Sequence, residues 1–197
     1  MNVVFDLGKV LVDWRPERAV AHLFGNEAEA RAALDRIGFN AWNLEQDRGR
    51  SWSDGFAAAP DAEARRVFET YFENIDAAHE LAIRENVELL DDLARAGVPL
   101  FALTNGAREA TAACRKLHPF MAHFRDVTIS AEHGVIKPEP AIYAIACQRG
   151  GYEPREAVFI DDSEKNVAGA RDFGLHAIHY APGRDLRGEL SKLGVRP

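Results

Sequence analysis

The chain has 197 residues, 47% of them hydrophobic and 28% charged, an ordinary globular composition long enough for one core domain with a modest insertion. Its formal net charge of −7, without any basic tail or stripe, argues against nucleic acid and anionic membrane as partners. No apolar run reaches the length of a membrane span. The opening Met1-Asn2-Val3-Val4-Phe5-Asp6 lacks the basic region and cleavage site of a signal peptide. Cys114 and Cys147 fall in predicted helices without C-x-x-C spacing and read as free buried thiols, so a cytoplasmic protein is expected. No feature of the sequence demands an oligomer.

Residues 2–6 form a short apolar run that ends in an aspartate and reads as a buried strand. The stretch 15–84 is rich in alanine and charge and contains no good strand, so a helical insertion follows the first strand directly. Within it, Pro16 suits a first helical position, Asn26-x-x-Glu29 resembles a capping box, and residues 60–75 read as a further helix. Residues 42–49 read as a polar, glycine-containing stretch between helices. Beyond the insertion, helical and strand patterns alternate. Helix Asn86–Ala96, stopped by Gly97, precedes strand Val98–Leu103, and a helix over 106–117 precedes strand Val127–Ile129. A helix over 139–148 leads to strand Ala157–Ile160. Helix Ser163–Phe173, opening on an N-cap type residue and closing at Gly174, leads to strand His176–His179. This alternation implies a parallel sheet with helices on both faces.

Three of the strands end in polar residues: Asp6-Leu7-Gly8-Lys9, Thr104-Asn105-Gly106 and Asp161-Asp162-Ser163. Parallel sheets bind ligands at the carboxyl ends of their strands, so these residues are expected to converge. A carboxylate there is costly unless paired or bound to a metal, and Asp6, Asp161 and Asp162 would repel one another. A hard divalent cation with oxygen ligands, of which Mg²⁺ is the favoured case, relieves that repulsion. Lys137, ahead of Pro138, supplies a nearby cation, and Thr104, Asn105 and adjacent amides are placed to hydrogen-bond a phosphoryl oxygen.

These four segments, in this order, resemble the four motifs of the haloacid dehalogenase superfamily. The resemblance implies a Rossmann-like α/β core over residues 1–14 and 85–197 with a small helical cap over 15–84. It also implies a Mg²⁺-dependent hydrolase of a small phosphate monoester. In it, Asp6 resembles the nucleophile that becomes an aspartyl-phosphate, Thr104 the residue that holds the transferring group, and Lys137 the lysine that steadies both. Asn105 and Gly106 would line the phosphoryl group. Asp162 resembles the metal ligand beside Asp6 and the carbonyl of Gly8, with Asp161 supporting the metal or its waters and Asn166 behind them. Cap contacts to substrate are expected from 42–49, with Asn43 and Asp47 the named candidates; Trp14 and Trp42 are expected to pack. Asp-Leu-Gly-x-Val-Leu-Val-Asp is similar to a branch that includes glucose 1-phosphate phosphatases, so a sugar phosphate is the leading expectation. Asp13, at the end of this run, is placed to cap the insertion or meet Lys9.

One position departs from the pattern. Most phosphatases of the superfamily carry an aspartate two residues after the nucleophile, where this chain has Gly8, and such general acid–base help is worth about 10²–10⁴-fold. A 2-haloacid dehalogenase needs no such acid, but neither does it need the Asp161-Asp162 pair. A binding or regulatory protein on the same scaffold is the other alternative. A receiver domain has the acidic pair in the wrong order. The histidines form no H-E-x-x-H signature, and neither G-x-G-x-x-G nor a Walker A lysine is present.

Overall fold

The computed structural model describes residues 1–196. After β1 (Asn2–Phe5) come six helices: α1 (Pro16–Val20), α2 (Glu27–Arg36), α3 (Phe39–Asp47), α4 (Trp52–Ala57), α5 (Ala62–Glu73) and α6 (Ile75–Ala78). The rest alternates through α7 (Arg84–Arg95), β2 (Leu100–Thr104), α8 (Arg108–Leu117), β3 (Asp126–Ile129), α9 (Pro140–Gly150), β4 (Ala157–Asp161), α10 (Glu164–Phe173), β5 (His176–His179) and α11 (Leu186–Lys192). The five described strands pair in parallel, in the order β3-β2-β1-β4-β5. The first strand is therefore central, and the strand order reverses around it. That reversal opens a crevice at its carboxyl end.

Alternation along the strands divides the core between the two sheet faces. Val3, Phe5, Leu100, Ala102, Val158 and Ile160 pack with Leu89, Leu90 and Leu93 of α7 and Leu186 and Leu190 of α11. Val4, Phe101, Leu103 and Phe159 pack with Ile142, Tyr143 and Ala146 of α9 and Ala170 of α10. Both faces are covered, which is why the inner strands read as continuous apolar runs.

Helices α1–α6 hold a third apolar cluster of their own, including Val20, Leu34, Phe39, Trp42, Val67, Phe68 and Tyr71. Trp42 stacks on Phe68 with ring centroids 3.9 Å apart and donates its indole N–H to the Gly55 carbonyl. The chain enters and leaves this unit side by side: Asp13 N–H bonds Leu81 O, Arg15 N–H bonds Ala78 O, and Ile83 N–H bonds Leu11 O.

Several boundaries differ from the sequence reading. Trp42–Asp47 is helical, not a connection; α3 buries Phe39, Trp42, Gln46 and Asp47, and the two polar members break its apolar period. α5 starts at Ala62 because Asp61 caps it, and it stops at Glu73 before the separate turn α6. Asn26 caps α2 through the Glu29 amide, but the reciprocal bond of a box runs between the two side chains instead. β2 starts after Pro99, whose ring nitrogen has no hydrogen for the ladder. Ser163 occupies the N-cap of α10 without a side-chain cap; its own amide is taken by Asp161 Oδ1.

Candidate active site

The carboxyl ends of β1, β2 and β4 meet as expected. Phe5 pairs with Ala102 on one side and Ile160 on the other, which sets the residues that follow these strands next to one another. A cleft of about 230 Å³ opens there, bounded on the opposite side by the helical insertion. Asp6, Gly8, Thr104, Asn105, Gly106 and Asp162 line it from the sheet, and Asn43 and Asp47 from α3.

Asp6 is buried and holds its Oδ1 rigidly. That oxygen accepts the Leu7 amide at 2.7 Å and lies 2.9 Å from Lys137 Nζ. No hydrogen bond engages Oδ2 among the described residues. Lys137 is only 2% exposed. Its ammonium group also bonds Asp161 Oδ2 at 2.7 Å and the Leu103 carbonyl at 3.0 Å. Asp161 is fully buried and spends its oxygens on Lys137, Asn166 Nδ2 and the Ser163 amide. Two expectations shift accordingly. Lys137 and Asp161 lie beneath the cleft floor rather than in its wall, so Lys137 meets Asp6 instead of the open space. Asn166 does stand behind the acidic pair, as expected.

Burial pushes the Asp6 carboxyl up to about 8; the Lys137 charge pulls it down, and Asp161 and Asp162 push it further up. Burial also raises Asp162, with Asp161 adding to it. Burial works against the Lys137 charge, but Asp161 and Asp6 outweigh it and hold the ammonium form. One carboxylate oxygen from each of Asp6, Asp161 and Asp162 lies within 4.8 Å of the others. Three acids thus face one lysine, and the excess negative charge in a buried, oxygen-only cluster is what a hard divalent cation neutralises. The donor set fits Mg²⁺.

Other expected residues have different surroundings. Asn105, while lining the cleft, exchanges hydrogen bonds with the Lys137 backbone, so its side chain braces the lysine loop. Trp14, expected to pack, forms part of the cleft wall and reaches toward the Tyr71 hydroxyl; Trp42 packs as expected. Lys9, with φ of 59°, is held 5.9 Å from the Trp14 ring, and with Asp13 lines a second, more open cleft.

Sequence reasoning missed Ser130. It is fully buried just after β3, donates to the Asp47 carbonyl at 2.6 Å and accepts the Gly106 amide at 3.0 Å. A single hydroxyl therefore ties α3 to the loop after β2. The signal was a polar residue ending the third strand, the same signal read at the other three. Tyr71, Trp52 and Thr111 of the cleft wall were also missed, because each sits in the periodic pattern of its helix.

A parallel sheet with an acidic cluster and a buried lysine at its switch point, facing a helical insertion, defines an α/β enzyme with a strand-end carboxylate site. The chain belongs to the haloacid dehalogenase-like hydrolase family, whose model matches residues 1–174. It is 35% identical over 101 residues to a glyceraldehyde 3-phosphate phosphatase of Methanopyrus kandleri, covering 50% of this chain and 42% of that one. It is 32% identical over 98 residues to (S)-2-haloacid dehalogenase 4A of Burkholderia cepacia, covering 49% and 42%. The matched segment thus spans less than half the length of either relative. The fold is similar to that of a HAD family enzyme from Bacteroides thetaiotaomicron, a mutant in complex with magnesium and inorganic phosphate. The TM-score is 0.74 at 22% identity, over 95% of this chain and 97% of that one.

Proposed function

We propose that this hydrolase is a Mg²⁺-dependent phosphatase acting on a small phosphate monoester through an aspartyl-phosphate on Asp6. The observation that carries the reading is the division of labour at Asp6: Oδ1 is fixed by Leu7 and Lys137, and Oδ2 has no partner among the described residues beside the cleft. An oriented, half-satisfied carboxylate is a prepared nucleophile.

Asp6, Asp162 and the Gly8 carbonyl are the groups that would hold the cation, with the buried Asp161 adding negative charge behind them. Bound there, Mg²⁺ supplies charge neutralisation for the phosphoryl oxygens. The chain's own groups do the rest. Asp6 Oδ2 attacks phosphorus in line. Lys137 keeps Asp6 oriented and offsets the negative charge from below. Thr104, which lines the cleft beside Asp6, donates its hydroxyl to the transferring group as charge builds on it. Residues 15–84 act as a cap over the core of 1–14 and 85–197, with Asn43 and Asp47 facing the substrate. The cleft suits a small metabolite, and a sugar phosphate such as glucose 1-phosphate is the preferred substrate class. The Asp161-Asp162 pair favours this over 2-haloacid dehalogenation, which does not call for a cation.

The test is phosphate release from a panel of phosphorylated metabolites, with and without Mg²⁺, comparing the native chain with Asp6→Asn. Release requiring both Mg²⁺ and Asp6 supports the reading. Release of halide from a 2-haloacid, with none of phosphate, would replace it.

A further inference from the structure

Resting on the phosphatase reading, we propose that Asp47 of the helical insertion is the general acid and base of the reaction, supplying from α3 the group absent at Gly8.

Asp47 lines the same cleft as Asp6 and Thr104, from the opposite wall. Its residue is only 9% exposed, and its carboxylate is weakly satisfied: Asn43 Nδ2 approaches Oδ2 at 3.4 Å, and no ion pair is made among the described residues. The backbone beneath it is fixed, since its carbonyl accepts the buried Ser130 hydroxyl at 2.6 Å. The groups facing the carboxylate are the Ala107 amide, the Tyr71 hydroxyl and, further off, the Lys137 charge. Burial outweighs the lowering effects of Lys137 and Ala107 and pushes the Asp47 carboxyl up to about 7, in the range that suits an acid–base group at neutral pH.

Rival groups in the cleft are less suited. Asp162 belongs to the cation cluster. His79 Nδ1 is 2.8 Å from the Ile75 carbonyl, so that nitrogen's proton is committed there, and burial lowers its pKa.

The steps balance. Asp6 Oδ2 forms a bond to phosphorus as the bond to the ester oxygen breaks, and protonated Asp47 gives its proton to that oxygen, releasing the alcohol. Water then attacks phosphorus, Asp47 takes the water's proton, and the Asp6–phosphorus bond breaks. Phosphate leaves, Asp6 is again a carboxylate, and Asp47 is again protonated.

Two esters separate this role from a structural one. Glycerol 1-phosphate has a poor leaving group that needs a proton, whereas 4-nitrophenyl phosphate does not. In Asp47→Asn, kcat/KM is expected to fall about 10²–10⁴-fold on the first and less than about tenfold on the second. A burst of nitrophenol followed by a slow phase is expected on the aryl ester, because water attack lacks its base. The double variant Gly8→Asp/Asp47→Asn should recover glycerol 1-phosphate turnover, since a Cβ at Gly8 meets nothing nearer than Trp14 Cβ at 3.9 Å. An equal loss on both esters, or no loss on the alkyl ester, overturns the role of Asp47 while leaving the phosphatase reading intact. A native chain that hydrolyses neither ester overturns both.

Discussion

Asn105 and Lys137 exchange a reciprocal pair of hydrogen bonds: Lys137 N–H donates to Asn105 Oδ1 at 2.8 Å, and Asn105 Nδ2 donates to the Lys137 carbonyl at 3.1 Å. The end of β2 therefore sets the backbone from which Lys137 reaches Asp6 and Asp161. Asn105→Ala leaves a donor and an acceptor unpaired in a half-buried place. It is expected to lower stability by about 1–3 kcal/mol in urea unfolding. It should also reduce kcat more than it raises KM, because the displaced lysine orients the nucleophile. Asn105→Asp keeps the acceptor and loses the donor, so its effects should be smaller on both measurements. A KM effect alone would return Asn105 to ligand binding.

The contact between α3 and the loop after β3 rests on Ser130 and on the close approach of Gly49 to Ala131. Ser130→Ala strips the Gly106 amide and the Asp47 carbonyl of their shared partner, at a cost of about 1–3 kcal/mol. Gly49→Ala should cost more. Its φ is +94°, and a Cβ there would stand 2.6 Å from the Ala131 carbonyl oxygen, backbone that cannot swing aside. Thermal melts should rank the two variants in that order. Amide exchange should speed up in α3 before it does in β1 and β4 if the helical unit loosens from the sheet.

Much of this was legible from strand ends. Apolar runs closed by Asp6, Thr104 and Asp161 fixed both the sheet and the floor of the site, since burial on both faces leaves uninterrupted apolar runs and only the termini free to be polar. The α3 segment was illegible for the opposite reason. Gln46 and Asp47 are polar and buried, so the helical period is hidden, and a segment that carries two of the cleft residues read as a connection. The depth of Lys137 was hidden too. A lysine before a proline gives no sign that its ammonium will be enclosed by Asp6, Asp161 and a carbonyl. Such pairings join residues far apart in the chain, and spacing does not encode them.

If the acidic cluster takes up Mg²⁺, the ion binds the folded chain and not the unfolded one, so it stabilises by mass action. The melting temperature of the native chain is expected to rise with Mg²⁺ concentration. At about a hundredfold excess over the dissociation constant the gain is about 2.7 kcal/mol. Asp162→Asn should melt at a temperature nearly independent of Mg²⁺. It also relieves part of the carboxylate repulsion, so without Mg²⁺ it should be at least as stable as the native chain. Equal responses to Mg²⁺ in both proteins would move the cation elsewhere.

The buried acid at position 47 carries its own signature in stability against pH. Its folded pKa, about 7, lies above the ordinary 3.8, so between these values the folded chain binds more protons than the unfolded one. Stability contributed by neutral Asp47 is therefore full below about pH 4 and is lost as pH rises through 7, where a buried carboxylate must ionise. Asp47→Asn has nearly the same shape and no charge to bury. At pH 8 it is expected to be more stable than the native chain by up to about 4 kcal/mol, the shift expressed as free energy. The gap should close as pH falls toward 4. Urea unfolding of both proteins at pH 5, 6, 7 and 8 measures it. A native stability that stays parallel to that of Asp47→Asn across this range would mean that the carboxylate is solvated in solution. Divergence above neutral pH, together with lost turnover of the alkyl ester, would mark a group kept at a cost in stability for its chemistry.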